Sequence, residues 1–70
     1  MNLHGLRLFY VVARFGSVTL AAEQLRISQP AITSQIKKFE RELGIDLFEP
    51  NGRGVRLTEI GEKLANQAKV

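Results

Sequence analysis

Two helix starts and two helix stops fall within one short stretch around Ser17 to Gly44, and they leave the chain little conformational choice. Gly16 comes first. A glycine accepts the left-handed backbone that ends a helix without a Cβ clash. Ser17 follows, and its hydroxyl can accept from an orphan N–H of the next helix. That helix is predicted over about 18–25, with Ala21 and Ala22 giving it a slim side that another helix can approach closely. Arg26-Ile27 forms the connection. Ser28 is the second cap, and Pro30 falls in a first turn, where its missing N–H has no intrahelical partner to lose. Ile32, Ile36, Phe39 and Leu43 then recur at helical spacing, a stripe expected to be core, before Gly44 ends the helix.

Elements on either side support this pair. Leu3, Leu6, Phe9, Tyr10 and Ala13 repeat at three- and four-residue steps and predict an amphipathic first helix. After Gly44, Ile45-Asp46-Leu47-Phe48 reads as a short extended apolar piece. Pro50-Asn51-Gly52-Arg53-Gly54 is dense in turn formers, and Val55-Arg56-Leu57 alternates like a strand. Together they predict a two-stranded hairpin with a basic tip. Thr58 is placed to cap a last helix, with Glu59 near its positive end. Ile60, Leu64 and Ala68 mark the apolar side of that helix, and Ile60 is expected to face the domain's own core. Gly61 in its first turn weakens a helix, which points to a close backbone neighbour. No stop signal precedes Val70, so the sequence is expected to be cut from something longer. The fold class is mainly α.

Composition narrows the chemistry. Seventy residues make one domain with a small core, one that buries only about 60% of the surface of its unfolded chain. There is no cysteine, and His4 is the only histidine, so neither a disulfide, a metal site nor a cofactor is expected. No apolar run approaches the ~20 residues of a membrane span, and Met1-Asn2-Leu3-His4 does not open a signal peptide. These features favour a cytoplasmic protein without membrane contact. Paired carboxylates, a Cys/His set and a phosphate loop are all missing. Gly52-Arg53-Gly54 is too short to be one, so catalytic residues are not expected and the chain is not read as an enzyme.

The charge balance is 10 Lys+Arg against 7 Asp+Glu, a net +3, which alone does not name a nucleic-acid partner. Distribution says more. Arg26, Lys37, Lys38, Arg41, Arg53 and Arg56 can line one side if the fold gathers them, while Glu40, Glu42, Asp46 and Glu49 cluster after the middle. With residues placed about 100° apart around the helix that follows Ser28, Pro30, Ser34, Lys37, Lys38 and Arg41 lie across from the apolar stripe. Gln29 and Thr33 lie on the flank.

A short helix packed beneath such an exposed polar helix is a helix-turn-helix, whose second helix can enter the major groove of DNA. Gln29, Pro30, Thr33 and Ser34 would then meet base edges, with Lys37, Lys38 and Arg41 nearer the phosphates. A glutamine amide pairs with adenine through donor and acceptor together, and a proline ring suits a thymine methyl. N–H groups at the helix starts near Ser17 and Ser28 suit phosphate oxygens. The hydroxyls serve equally for capping or for DNA contact, and that choice stays open. Arg53, at a glycine-flanked tip, suits a minor groove, whose negative potential attracts arginine.

Gly16-Ser17, Ala21-Ala22, Leu25, Ser28-Gln29-Pro30-Ala31, Gln35-Ile36, Glu40, Leu43-Gly44, Leu47-Phe48, Arg53, Leu57-Thr58 and Gly61 resemble the N-terminal domain of LysR-type transcriptional regulators, in register over nearly the whole chain. The resemblance implies a winged helix-turn-helix with a three-helix core, a short two-stranded wing and the start of a linker helix. Residues 1–57 would be the DNA-binding domain and 58–70 the truncated linker helix. It implies a double-stranded DNA operator as partner, and a homo-oligomer formed through the linker helix in the full-length protein. A small-molecule effector would bind only to a C-terminal domain absent here. By the same resemblance Gln29, Pro30, Thr33 and Ser34 take base-reading positions and Arg53 the wing position. Ser34 and Pro50 stand where the family often has arginine, and Ile60 where it often has alanine. The rival reading is a winged-helix protein-interaction module without specific DNA binding, for which the clustered acids would suit.

Overall fold

Helix α1 (Leu3–Phe15) buries Leu8, Phe9 and Val12. Of the predicted stripe only Phe9 is fully buried, while Leu6, Tyr10 and Ala13 are half-buried and Leu3 is exposed, so the inward side is rotated from the one expected. The computed structural model describes residues 3–52 and 54–67. The N–H of Gly16 donates to the Val12 carbonyl at 2.8 Å, and its φ of +67° ends the helix. Ser17 then caps α2 (Val18–Leu25), its Oγ accepting from Leu20 N at 3.1 Å. Ala21 and Ala22 are buried, the close-packing side that their size predicts. Helix α2 stops at Arg26, which adopts a left-handed conformation with φ 59°. Among the described residues no single helix is long and apolar enough to cross a membrane.

Helix α3 (Gln29–Leu43) begins at Ser28, whose Oγ accepts from Ala31 N at 3.2 Å, and carries Pro30 in its first turn. Ile32, Ile36 and Phe39 are buried, but Leu43 is 41% exposed and leaves the predicted core stripe. The last buried residue of the helix is Glu40 instead. After Gly44 the chain folds back over the Glu40 side of the helix and leaves the Leu43 side open. The Glu40 carbonyl accepts from Gly44 N at 2.8 Å and from Ile45 N at 3.2 Å. Its carboxylate Oε2 accepts from Leu47 N at 2.7 Å and from Phe48 N at 3.2 Å.

The hairpin pairs β1 (Phe48–Asn51) with β2 (Gly54–Leu57), antiparallel, with Phe48 opposite Leu57 and Glu49 opposite Arg56. The strands reach further toward the tip than the turn formers predicted. Pro50, Asn51 and Gly54 belong to the ladder, while Ile45 to Leu47 lie outside it. Proline is tolerated here because every strand of a two-stranded ribbon is an edge, so its missing N–H need not face a partner.

Helix α4 (Glu59–Gln67) starts at Thr58, whose Oγ1 accepts from Gly61 N at 3.0 Å and donates to the Asp46 carbonyl at 2.7 Å. A Cβ at Gly61 would collide with the backbone carbonyl of Leu47, which is the close neighbour this glycine predicted. That contact sets the helix rotation. Gly61, Leu64 and Ala65 face the core, and Ile60 turns outward at 45% exposure, contrary to expectation. Ala68, assigned to the same apolar side, lies outside the described residues.

Two packed clusters form the interior. One joins Leu8 and Val12 of α1, Ala21 and Ala22 of α2, and Ile32 and Ile36 of α3. The other joins Phe9, Phe39 and Leu47, with Leu64 and Ala65 against it. Phe48 touches both clusters, and its ring stands 5.3 Å from that of Phe9. The fold is thus three helices, a two-stranded antiparallel wing and a fourth helix.

Truncation of Glu40 should expose how the wing is held. Glu40→Ala leaves the Leu47 and Phe48 N–H groups without their acceptor, at a cost of about 2–3 kcal/mol. In a domain this small the melting temperature should fall by roughly 10 °C or more. Glu40→Gln keeps one oxygen acceptor and should lose less; calorimetric melts of the two variants check the order.

Candidate nucleic-acid interface

The burial of Ile32, Ile36 and Phe39 fixes the rotation of α3 and therefore what it shows to solvent. Gln29, Pro30, Thr33, Ser34, Lys37, Lys38 and Arg41 are all exposed. The predicted order along the helix is retained: amide, ring and hydroxyls toward the start, cations further along. The N-terminal end is also an electrostatic feature. Unpaired N–H groups concentrate partial positive charge in the first turn of a helix, and here that turn holds Gln29 and Pro30.

Ser17 and Ser28 each use a hydroxyl lone pair to accept a backbone N–H. A hydroxyl that accepts in this way still has its own proton to donate. Ser17 is half-buried and Ser28 exposed. Capping is therefore what these serines do within the chain, and the proton left over is compatible with a phosphate contact.

The cations are less uniform than their sequence positions implied. Lys37, Lys38 and Arg41 share α3 and are exposed. Arg26 occupies the connection between α2 and α3 in its left-handed conformation. Arg56 is engaged with Glu49 across the hairpin, Nη2 to Oε2 at 3.3 Å. Arg53, read as the wing arginine, lies outside the described residues. Among the acids, Glu40 is 7% exposed and bonded to backbone, so it does not belong to an acidic surface. The helical wheel carried a signal for this, since Glu40 follows Phe39 and lies one turn after Ile36.

Between α3 and the hairpin runs a trough of about 120 Å³, bordered by Val18, Thr33, Lys37, Glu49, Pro50 and Val55 among others. Sequence reasoning did not find it, because its walls come from three separate elements. Among the described residues no group of three His, Cys, Asp or Glu side chains is arranged to hold a metal ion.

Residues 3–62 match the family profile for the bacterial regulatory helix-turn-helix proteins of the lysR family. The chain is 53% identical over 68 residues to the HTH-type transcriptional regulator AbaB of Streptomyces antibioticus, covering 97% of this chain and 23% of that protein. It is 44% identical over 69 residues to the RuBisCO operon transcriptional regulator of Allochromatium vinosum, covering 99% and 23%. The chain therefore spans about a quarter of the length of these curated relatives. They are transcriptional regulators, not enzymes. In three dimensions it is similar to the BenM DBD in complex with catB site 1 DNA, with a TM-score of 0.88 and 41% identity over 97% of this chain and 76% of that one. It is also similar to full-length CbnR complexed with its target DNA, with a TM-score of 0.87 and 38% identity over 97% and 24%.

The caps can be separated from any role toward DNA. Ser28→Ala removes the acceptor for Ala31 N and should cost about 1 kcal/mol of stability, while aspartate caps as well as serine. Ser28→Asp should therefore unfold at nearly the wild-type urea concentration and yet bind duplex DNA more weakly, because its charge opposes phosphate.

Proposed function

This chain belongs to the lysR family of bacterial regulatory helix-turn-helix proteins, and we propose that it binds double-stranded operator DNA sequence-specifically through α3 and the wing. The observation that carries this reading is the exposed face of α3. Gln29, Pro30, Thr33 and Ser34 stand at its N-terminal half and Lys37 and Lys38 beyond them, opposite a buried stripe that prevents the helix from rotating.

In the proposed complex the start of α3 enters the major groove. Gln29, Pro30, Thr33 and Ser34 read base edges, and Lys37 and Lys38 meet phosphates on either side. Ser17 and Ser28 bring the N-terminal ends of α2 and α3 toward the DNA backbone. Arg53 occupies the neighbouring minor groove. The base-reading set supplies discrimination, and the cations supply affinity that any sequence can claim. Solved complexes of two relatives with DNA support this reading.

The rest of the assembly is proposed on the same footing. Residues 1–57 form the DNA-binding unit and 58–70 begin the linker helix through which copies pair in the full-length regulator. A small-molecule effector acts through a separate C-terminal domain. The rival reading, a protein-interaction module, loses Glu40 from its acidic surface, since that carboxylate is buried.

Two substitutions on one helix test the division of labour. Gln29→Ala should cost about 1–3 kcal/mol on the best site and little on unrelated sequence, whereas Lys37→Ala should weaken all sequences alike and flatten the salt dependence. Titrations of cognate and random duplexes across a salt series measure both. Equal losses on every sequence for Gln29→Ala would remove it from the base-reading set.

A separate expectation concerns the wing. Arg53→Ala should weaken sites flanked by A/T tracts more than G/C-flanked sites, because narrow grooves concentrate negative potential. Competition between the two kinds of flank measures the difference.

A further inference from the structure

The major groove and its neighbouring minor groove are separated by one sugar–phosphate strand. On the DNA reading above, a protein that places a helix in the first and a hairpin tip in the second must lay that strand across the trough between them. Here the trough runs between α3 and the hairpin. Its Lys37 suits a polyanion. Its Glu49 does not.

Glu49 is held in place by its strand. It lies directly opposite Arg56 in the hairpin register, and the two side chains meet at 3.3 Å with Arg56 62% and Glu49 42% exposed. Glu40 also borders the trough, but it is buried and its carboxylate accepts from Leu47 and Phe48. Glu49 is thus the solvent-facing acid of the trough, and the cation beside it is engaged in neutralising it.

We propose that Glu49 is an electrostatic brake on phosphate binding. Its carboxylate, paired across the strands with Arg56, lowers the share of DNA affinity that does not depend on sequence. An exposed pair of this kind is weak, and Arg56 itself does not border the trough, so much of the Glu49 charge still acts on a phosphate lying over it. Glu49 borders the trough and repels that phosphate. Base contacts made by α3 are left untouched. The consequence is less time on the large excess of non-cognate sites that any genome presents.

The test uses the chain as it stands, with a mixed-sequence duplex two helical turns long as the probe. Wild type, Glu49→Gln and Glu59→Gln are titrated by fluorescence anisotropy over a salt series. Glu59→Gln makes the same change in net charge at the start of α4, where its side chain is 89% exposed and does not border the trough. Both substitutions fall on exposed side chains, and a thermal melt verifies that each variant is folded. Glu49→Gln should bind about two- to fivefold more tightly at low salt, with a steeper salt dependence, and Glu59→Gln should stay near wild type. Unchanged or weaker binding by Glu49→Gln overturns the proposal. An equal gain from Glu59→Gln also overturns it, since net charge would then suffice. Wild-type protein that ignores the duplex at low salt overturns the DNA reading itself, a distinct result from either.

Discussion

The carboxylate of Glu40 accepts the backbone N–H groups of Leu47 and Phe48, and the placement of the wing follows from that pair of bonds. The same residue's carbonyl receives Gly44 and Ile45 as the chain reverses at the end of α3. One residue of α3 therefore holds the segment that leads into the hairpin through both its main chain and its side chain. Buried N–H groups without a partner are costly, and hydrogen bonds to a charged acceptor are among the stronger ones. The next link runs through Leu47. Its carbonyl accepts from Thr58 N at 2.9 Å and lies so close to Gly61 that no Cβ fits. Helix α3, the wing and α4 are thus registered against one another through residues 44–48, a segment outside both strands for most of its length.

This arrangement explains how so small a domain presents a rigid face. The two hydrophobic clusters meet at Phe48, the first residue of the hairpin. Movement of the wing relative to α3 would disturb both clusters and the Glu40 bonds together. On the proposed function, the surface built on α3 and the hairpin is then set by packing before DNA arrives, which lowers the ordering cost of association.

Much of this was legible in the residues because local chemistry decided it. Helix limits followed from Gly16, Ser17, Ser28 and Gly44, each of which acts on its own neighbours along the chain. Gly61 announced a close contact because glycine in a first helical turn is otherwise unfavourable. In α1 the expected stripe of Leu3, Leu6, Tyr10 and Ala13 gives way to Leu8 and Val12 beside Phe9. The other misreadings involve partners distant in sequence. Leu43 fits the apolar stripe, and only the path of the chain after Gly44 leaves it exposed. Ile60 has the spacing of a core residue, but the contact between Gly61 and Leu47 turns it outward. Glu40 was grouped with surface acids by charge, and its burial depends on backbone donors seven and eight residues ahead. At the candidate site, the exposed face of α3 was readable from periodicity alone. The trough and the pairing of Arg56 with Glu49 were not, since hairpin register and helix packing create them.

The central claim is that α3 reads bases and does not merely attract phosphate. Selection of bound sequences from a random duplex library, using this chain at near-physiological salt, tests it most directly. The account predicts enrichment of a short contiguous motif, as expected for a few side chains at the start of one helix, with A/T preference in the flank that the wing approaches. Recovery of duplexes without a shared motif would contradict it, leaving a basic surface that holds DNA of any sequence.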